Sequence, residues 1–234
     1  GPDGAIYFAD WFDPRIGASS HLDESFSGTI YRVAPKGFKP KIPKVDLTNI
    51  NGQIMALRSP AINTRYLGFR SLKSRGEKVS NFVFKQLDDA NKWIAARAVW
   101  LLPYMGDQGI DACIKMLEDE NSDQRVVAYR SLRRYGHDMI PHARRMCKDK
   151  SPQVRREIAL SLRDLPAEKT KDIFIELAKR CDTTDKNSLE AIGLGAAKQE
   201  SIIWRAIKDE LHLDSYDKWD DHFARLTWRL WGAA

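Results

Sequence analysis

A tandem stack of helical hairpins, an α-solenoid, is the fold that this sequence predicts, with a short β-hairpin ahead of it. Three interlocked series carry that reading. Leu72, Leu102, Leu132, Leu162 and Ile192 recur every 30 residues. Leu57, Leu87, Leu117, Cys147, Leu177 and Ile207 form a second series, 15 residues out of phase with the first. Gly76, Gly106, Gly136 and Pro166 follow four residues after the first four members of the first series, where a helix must stop. Two apolar anchors and a breaker per period describe a helix–turn–helix unit. Such a unit buries its apolar face only against its neighbours in the array. Stacks of this kind bind or position other molecules and rarely perform chemistry.

Residues 1–34 read as β structure. Gly1-Pro-Asp-Gly4 is a turn, Ala5–Ala9 a short strand of β-formers, and Gly28–Val33 a second one. The polar loop between them, Asp10 to Ser27, is too long for a tight hairpin. Two strands cannot bury a sheet face alone. They must complete something upstream of residue 1 or pack on the helices that follow. Pro35, Gly37, Pro40 and Pro43 then mark a stiff linker over 35–47.

The helical array occupies 48–208. Ser59-Pro60 and Ser151-Pro152 each place a capping serine before a proline suited to the first helical position. Asn121-Ser122-Asp123 supplies a similar start. First helices carry stripes of Tyr66, Phe69 and Leu72, then Ala95, Ala98, Val99 and Leu102, then Val126, Tyr129 and Leu132. Second helices carry Phe82, Val83 and Leu87, then Ile110, Cys113, Ile114 and Leu117, then Ile173, Phe174 and Leu177. After residue 185 the pattern loosens. Residues 209–234 form a further helical segment containing Trp219, Trp228 and Trp231.

Composition bounds the function. The chain has 234 residues and 43% hydrophobic content, enough for a packed core, so global disorder is excluded. It has no apolar run long enough to span a membrane as a helix. Without an initiator Met or a signal-peptide pattern, it reads as a piece of a longer protein. Cys113, Cys147 and Cys181 form no CxxC or CxxCH and read as buried apolar residues, so neither a metal knuckle nor haem attachment is expected within the chain. His21, His137, His142, His212 and His222 form no HxxxH or HxH pair, and no nucleophile motif accompanies them. No catalytic residue is assigned.

The net charge of +6 is uneven. Residues 125–163 hold eleven Lys or Arg against Asp138, Asp149 and Glu157, whereas 209–222 leans acidic. The basic stripe is either the solvated face of a stack or a surface for nucleic acid. It lacks the aromatic interleaving that single-strand binding favours, which points to the solvated face.

Arg65, Arg97, Arg125 and Arg155 stand near the starts of the first helices. With Ser122-Asp-Gln-Arg-Val-Val-Ala128 and Ser151-Pro-Gln-Val-Arg-Arg-Glu-Ile-Ala159, they resemble the HEAT-repeat pattern D-x-x-V-R-x-x-A-x-x-x-L. The resemblance covers about residues 46–208. It implies that these arginines form a structural ladder along the stack.

The N-terminal GPDGAIYFADWFDPRIG and GTIYRVAPKG resemble the closing blade of the glucose/sorbosone-dehydrogenase type of β-propeller. More narrowly, they resemble the bacterial putative membrane-bound dehydrogenases, as does Asp220–Trp231. In that family a propeller is followed by HEAT-type repeats and often by a haem c domain. The resemblance implies that residues 1–34 are the last-blade remnant of a propeller. It also implies a periplasmic or cell-envelope location and a parent that oxidises sugars or alcohols with pyrroloquinoline quinone, calcium and haem c. No cofactor is expected in residues 1–234 themselves. The expected partners are the rest of the same chain and a protein on the face of the stack.

Asp10, Trp11, Asp13, Arg15 and His21 lie where a propeller strand would open into a loop at the channel mouth. Asp10, Asp13, Asp23 and Glu24 are either turn carboxylates or oxygen ligands for a hard cation. Arg15 either pairs with Asp10 or Asp13 or contacts an acidic cofactor or substrate.

Overall fold

The computed structural model describes residues 1, 3–9, 29–40 and 44–231. It divides into two compact units, Gly1–Gly106 and Asp107–Ala234. The protein is mostly helical, with one small antiparallel hairpin near its N-terminus, as its sequence predicts.

In the first unit, strand β1 (Ile6–Ala9) pairs with β2 (Ile30–Val33) in the register Ile6↔Val33 to Ala9↔Ile30. Arg32 bonds Asp3 at 3.0 Å and reaches the Tyr7 hydroxyl, which donates to the same carboxylate at 2.9 Å. Every residue of both strands is exposed, including Ile6 (68%) and Ile30 (75%). A ribbon with both faces in water has little to hold it together. Amide hydrogen exchange in β1 and β2 should therefore be fast, and slow in the helices over 92–178. Protection equal to that of the helices would show that the hairpin is held as firmly as they are.

Helices α1 (Ile50–Arg58), α2 (Ile62–Arg75), α3 (Ser80–Phe84) and α4 (Lys92–Val99) complete this unit. α2 begins two residues after Pro60, because the Ser59 hydroxyl accepts from the Ala61 N–H at 3.2 Å and forms a turn ahead of the helix. Leu72 is fully buried, but Tyr66 is 56% exposed. Six residues apart on a 3.6-residue turn, the two point in different directions. Gly68 takes the buried place expected of Tyr66. Phe82 is likewise exposed, while Val83 beside it is buried.

The second unit is two rows of helices. One row is α6 (Ser122–Tyr135), α8 (Pro152–Ser161), α10 (Lys186–Gly195) and α12 (Asp221–Trp231), each packed on the next. The other contains α5 (Asp107–Lys115), α7 (Ile140–Met146), α9 (Ala167–Arg180) and α11 (Glu200–Glu210), with α7 on α9 and α9 on α11. Every member of the first leucine series is buried, and so are Leu117, Cys147, Leu177 and Ile207 of the second. At Gly195 the backbones of α8 and α10 come so close that a Cβ would sit 2.1 Å from the Ala159 carbonyl oxygen. The Trp204, Trp219 and Phe223 rings cluster where α11 meets α12, with Trp219 edge-on to Phe223 at 5.0 Å.

Two of the breakers, Gly76 and Gly136, end helices where the period puts them, while Gly106 and Pro166 stand just before the starts of α5 and α9. Gly136 ends α6 with a φ of 97°, a left-handed conformation that glycine adopts without Cβ strain. Pro166 ends nothing. α8 stops at Ser161, Asp164 takes the positive φ, and Pro166 instead precedes the first residue of α9.

Candidate functional site

Asp10, Trp11, Asp13, Arg15 and His21, and the carboxylates Asp23 and Glu24, lie outside the described residues. What the structure does define is the joint between successive helical hairpins, and it is built from one small turn used repeatedly. The side-chain oxygens of Ser59, Asp89, Asp119 and Asp149 accept from the backbone N–H two residues on, at Ala61, Asn91, Asn121 and Ser151. The distances run from 2.8 to 3.2 Å. These turns fix the entry to α2, α4, α6 and α8. Asn91 and Asn121 then cap their helices with their own side chains.

Six residues after each turn residue the chain places the ladder position. Arg65, Arg125 and Arg155 each donate through Nη1 to the carbonyls six and five residues back, which belong to that turn. Arg155 also reaches the Arg180 carbonyl at 3.2 Å. Arg97 departs from this pattern. Ala95 occupies its unit's equivalent position, and Arg97 reaches back instead to the Leu57 and Ser59 carbonyls at 3.0 and 3.3 Å. Burial, with the charges of Arg65 and Arg58 nearby, pushes the Arg97 guanidinium below its usual range.

Arg125 is the most enclosed of the set. Its side chain is 5% exposed and grips Asp149 with two bonds, Nε to Oδ2 at 2.8 Å and Nη2 to Oδ1 at 2.6 Å. The 30-residue recurrence of the acceptors Asp89, Asp119 and Asp149 is visible in the sequence, although only the arginines signal the ladder there.

Much of the basic stripe is neutralised within the protein. Arg130 bonds Glu157 at 2.5 Å, Arg144 bonds Asp172 at 2.7 Å, Arg145 bonds Glu118 at 2.6 Å and Arg156 bonds Asp185 at 3.0 Å. Lys148 stands 3.7 Å from Glu176. Each pair joins one helical hairpin to the next. The charge excess of 125–163 is therefore reduced by Asp172, Glu118, Asp185 and Glu176, which lie outside it in sequence but beside it in space.

Candidate chemical groups are few. The thiols are unpaired, and burial pushes Cys113 up to about 12 and Cys181 up to about 11, so both stay protonated and unreactive. Among the described residues no three His, Cys, Asp or Glu side chains group to hold a metal ion, and no helix is long and apolar enough to cross a membrane. A cleft of ≈350 Å³ lies between the α6–α7 joint and the end of α8, with Tyr129, Arg133, His137, Ser161 and Leu165 in its wall.

A model of the HEAT-repeat family matches residues 80–163 and again 110–193. The two registers differ by 30 residues, the period of the leucine series. Over residues 80–193 the helical units are thus similar to HEAT repeats. No curated protein matches the chain. Among solved structures, a crystal structure of an engineered protein is similar at 17% identity with a TM-score of 0.39. That match covers 77% of this chain and 57% of the other, so the chain spans little more than half of that structure's length.

Proposed function

We propose that the HEAT repeats act as an interaction scaffold that holds a neighbouring domain or a protein partner. The observation that carries this reading is the repeated joint: Arg65, Arg125 and Arg155 and the turn side chains of Ser59, Asp89, Asp119 and Asp149 hold the turns between one hairpin and the next. Such a build gives an extended surface with little chemistry of its own. The finer reading rests on the N-terminal resemblance. In it, the scaffold stands beside a sugar-dehydrogenase-type propeller in a periplasmic or cell-envelope redox protein, with pyrroloquinoline quinone, calcium and haem c carried by the rest of the parent. The fully exposed hairpin supports it, since its open strand edges suit addition of further strands.

Two measurements test the pair of ideas. Residues 1–234 should reduce no dye with sugars and quinone cofactor and show no Soret band, whereas the complete protein should do both. A complete protein that does neither would remove the redox parent and leave the scaffold. Submicromolar binding to mixed-sequence duplex DNA at about 150 mM salt, tighter than ordinary non-specific binding, would instead make the stack a nucleic-acid binder. The internal pairing of the basic stripe argues for weak, salt-sensitive binding.

A further inference from the structure

His137 and His142 are five apart in sequence and show no ligand spacing, yet the turn between α6 and α7 brings their rings together. The two Nε2 atoms lie 3.4 Å apart and the ring centroids 5.5 Å apart. His137 is held by a backbone bond, and His142 sits inside α7. The His137 N–H donates to the Leu132 carbonyl at 3.1 Å behind Gly136, and Asp138 Oδ1 accepts from the Ile140 N–H at the start of α7. We propose that this pair is a site for a divalent transition-metal ion of the zinc class, held by the two Nε2 atoms, with its other positions open to water or a further ligand.

The separation favours it. A tetrahedral zinc with Zn–N bonds of about 2.05 Å holds two nitrogens about 3.3–3.4 Å apart. Without an ion the same separation makes a long hydrogen bond between the two rings, which an ion on both Nε2 atoms would replace. Imidazole is a ligand for zinc, copper and nickel only when neutral. His137 also follows the C-terminus of α6, whose negative dipole end favours a cation. It lines the cleft described above, so an ion there has room for water or an anion beside it. Two protein ligands make an exchangeable site, short of the closed four-ligand cage of structural zinc.

The test is titration of the intact chain with zinc sulfate in chelator-free buffer, read by calorimetry and by the rise in Tm that binding to the folded state produces. A single saturable zinc per chain is expected. It should be lost in both His137→Ala and His142→Ala, and kept in His212→Ala, His222→Ala and Cys181→Ser. Circular dichroism establishes that each variant is folded. His142→Asn serves as a milder second variant should the alanine disturb α7. Zinc binding that survives both His137 and His142 substitutions is adventitious and overturns the proposal, as does the absence of saturable binding.

Discussion

Leu132→Ala should cost about 2–5 kcal/mol in a denaturant titration, the range for truncating a buried leucine. Leu132 is fully enclosed in the last turn of α6, a helix that packs on both α5 and α8. Its removal leaves a cavity that neighbouring hairpins line, and in a repeat array each interface also supports the next. The loss should therefore register in the cooperativity of the whole second unit as well as in α6. Arg133→Ala or Lys115→Ala, both at exposed positions, should stay within about 1 kcal/mol, the upper end for a long ion pair such as Arg133–Glu157 at 3.7 Å. A Leu132→Ala loss as small as theirs would mean that the 30-residue phase does not mark the core.

That phase is legible because it is repeated. A single leucine says little, but five at one interval must share one environment, and Leu72, Leu102, Leu132, Leu162 and Ile192 all prove buried. Where a position has to be judged inside one helix, the reading weakens. Tyr66 looks like part of a stripe with Leu72 but lies on another face, and Arg97 looks like a rung although Ala95 holds that place. Spacing by eye tolerates an error of one or two residues, whereas a helix rotates by about 100° with each. The start of α2 slipped for a similar reason: Ser59 forms a turn before the helix, and serine suits both roles.

The contacts that depend on folding were the least legible. His137 and His142 meet only because Gly136 reverses the chain, and motif spacings such as HxxxH describe ligands on one helix. The basic stripe loses its meaning once Asp172, Glu118 and Asp185 arrive from other hairpins. A linear charge count cannot include partners about 30 residues away. The propeller-mouth residues, Asp10 to His21, remain an inference from resemblance, because they lie outside the described residues.

Arg125→Ala should destabilise the second unit by about 3–5 kcal/mol, the range for breaking a buried ion pair by removing one partner. Arg125 is 4% exposed and makes four bonds: two to the Asp149 carboxylate and one each to the carbonyls of Asp119 and Glu120. Alanine leaves Asp149, whose side chain is only 11% exposed, with the Ser151 N–H as its remaining partner. It also strips the two carbonyls of their side-chain donor. Lysine would keep the charge but not the planar fork, so Arg125→Lys should recover only part of the loss. A double-mutant cycle with Asp149→Asn separates the pair from the carbonyl contacts. Coupling of about 0.5–3 kcal/mol is expected for residues in one network. If Arg125→Ala costs no more than Arg155→Ala, whose side chain has no carboxylate partner among the described residues and is less enclosed, the Arg125–Asp149 pair is not what ties α6 to the turn before α8.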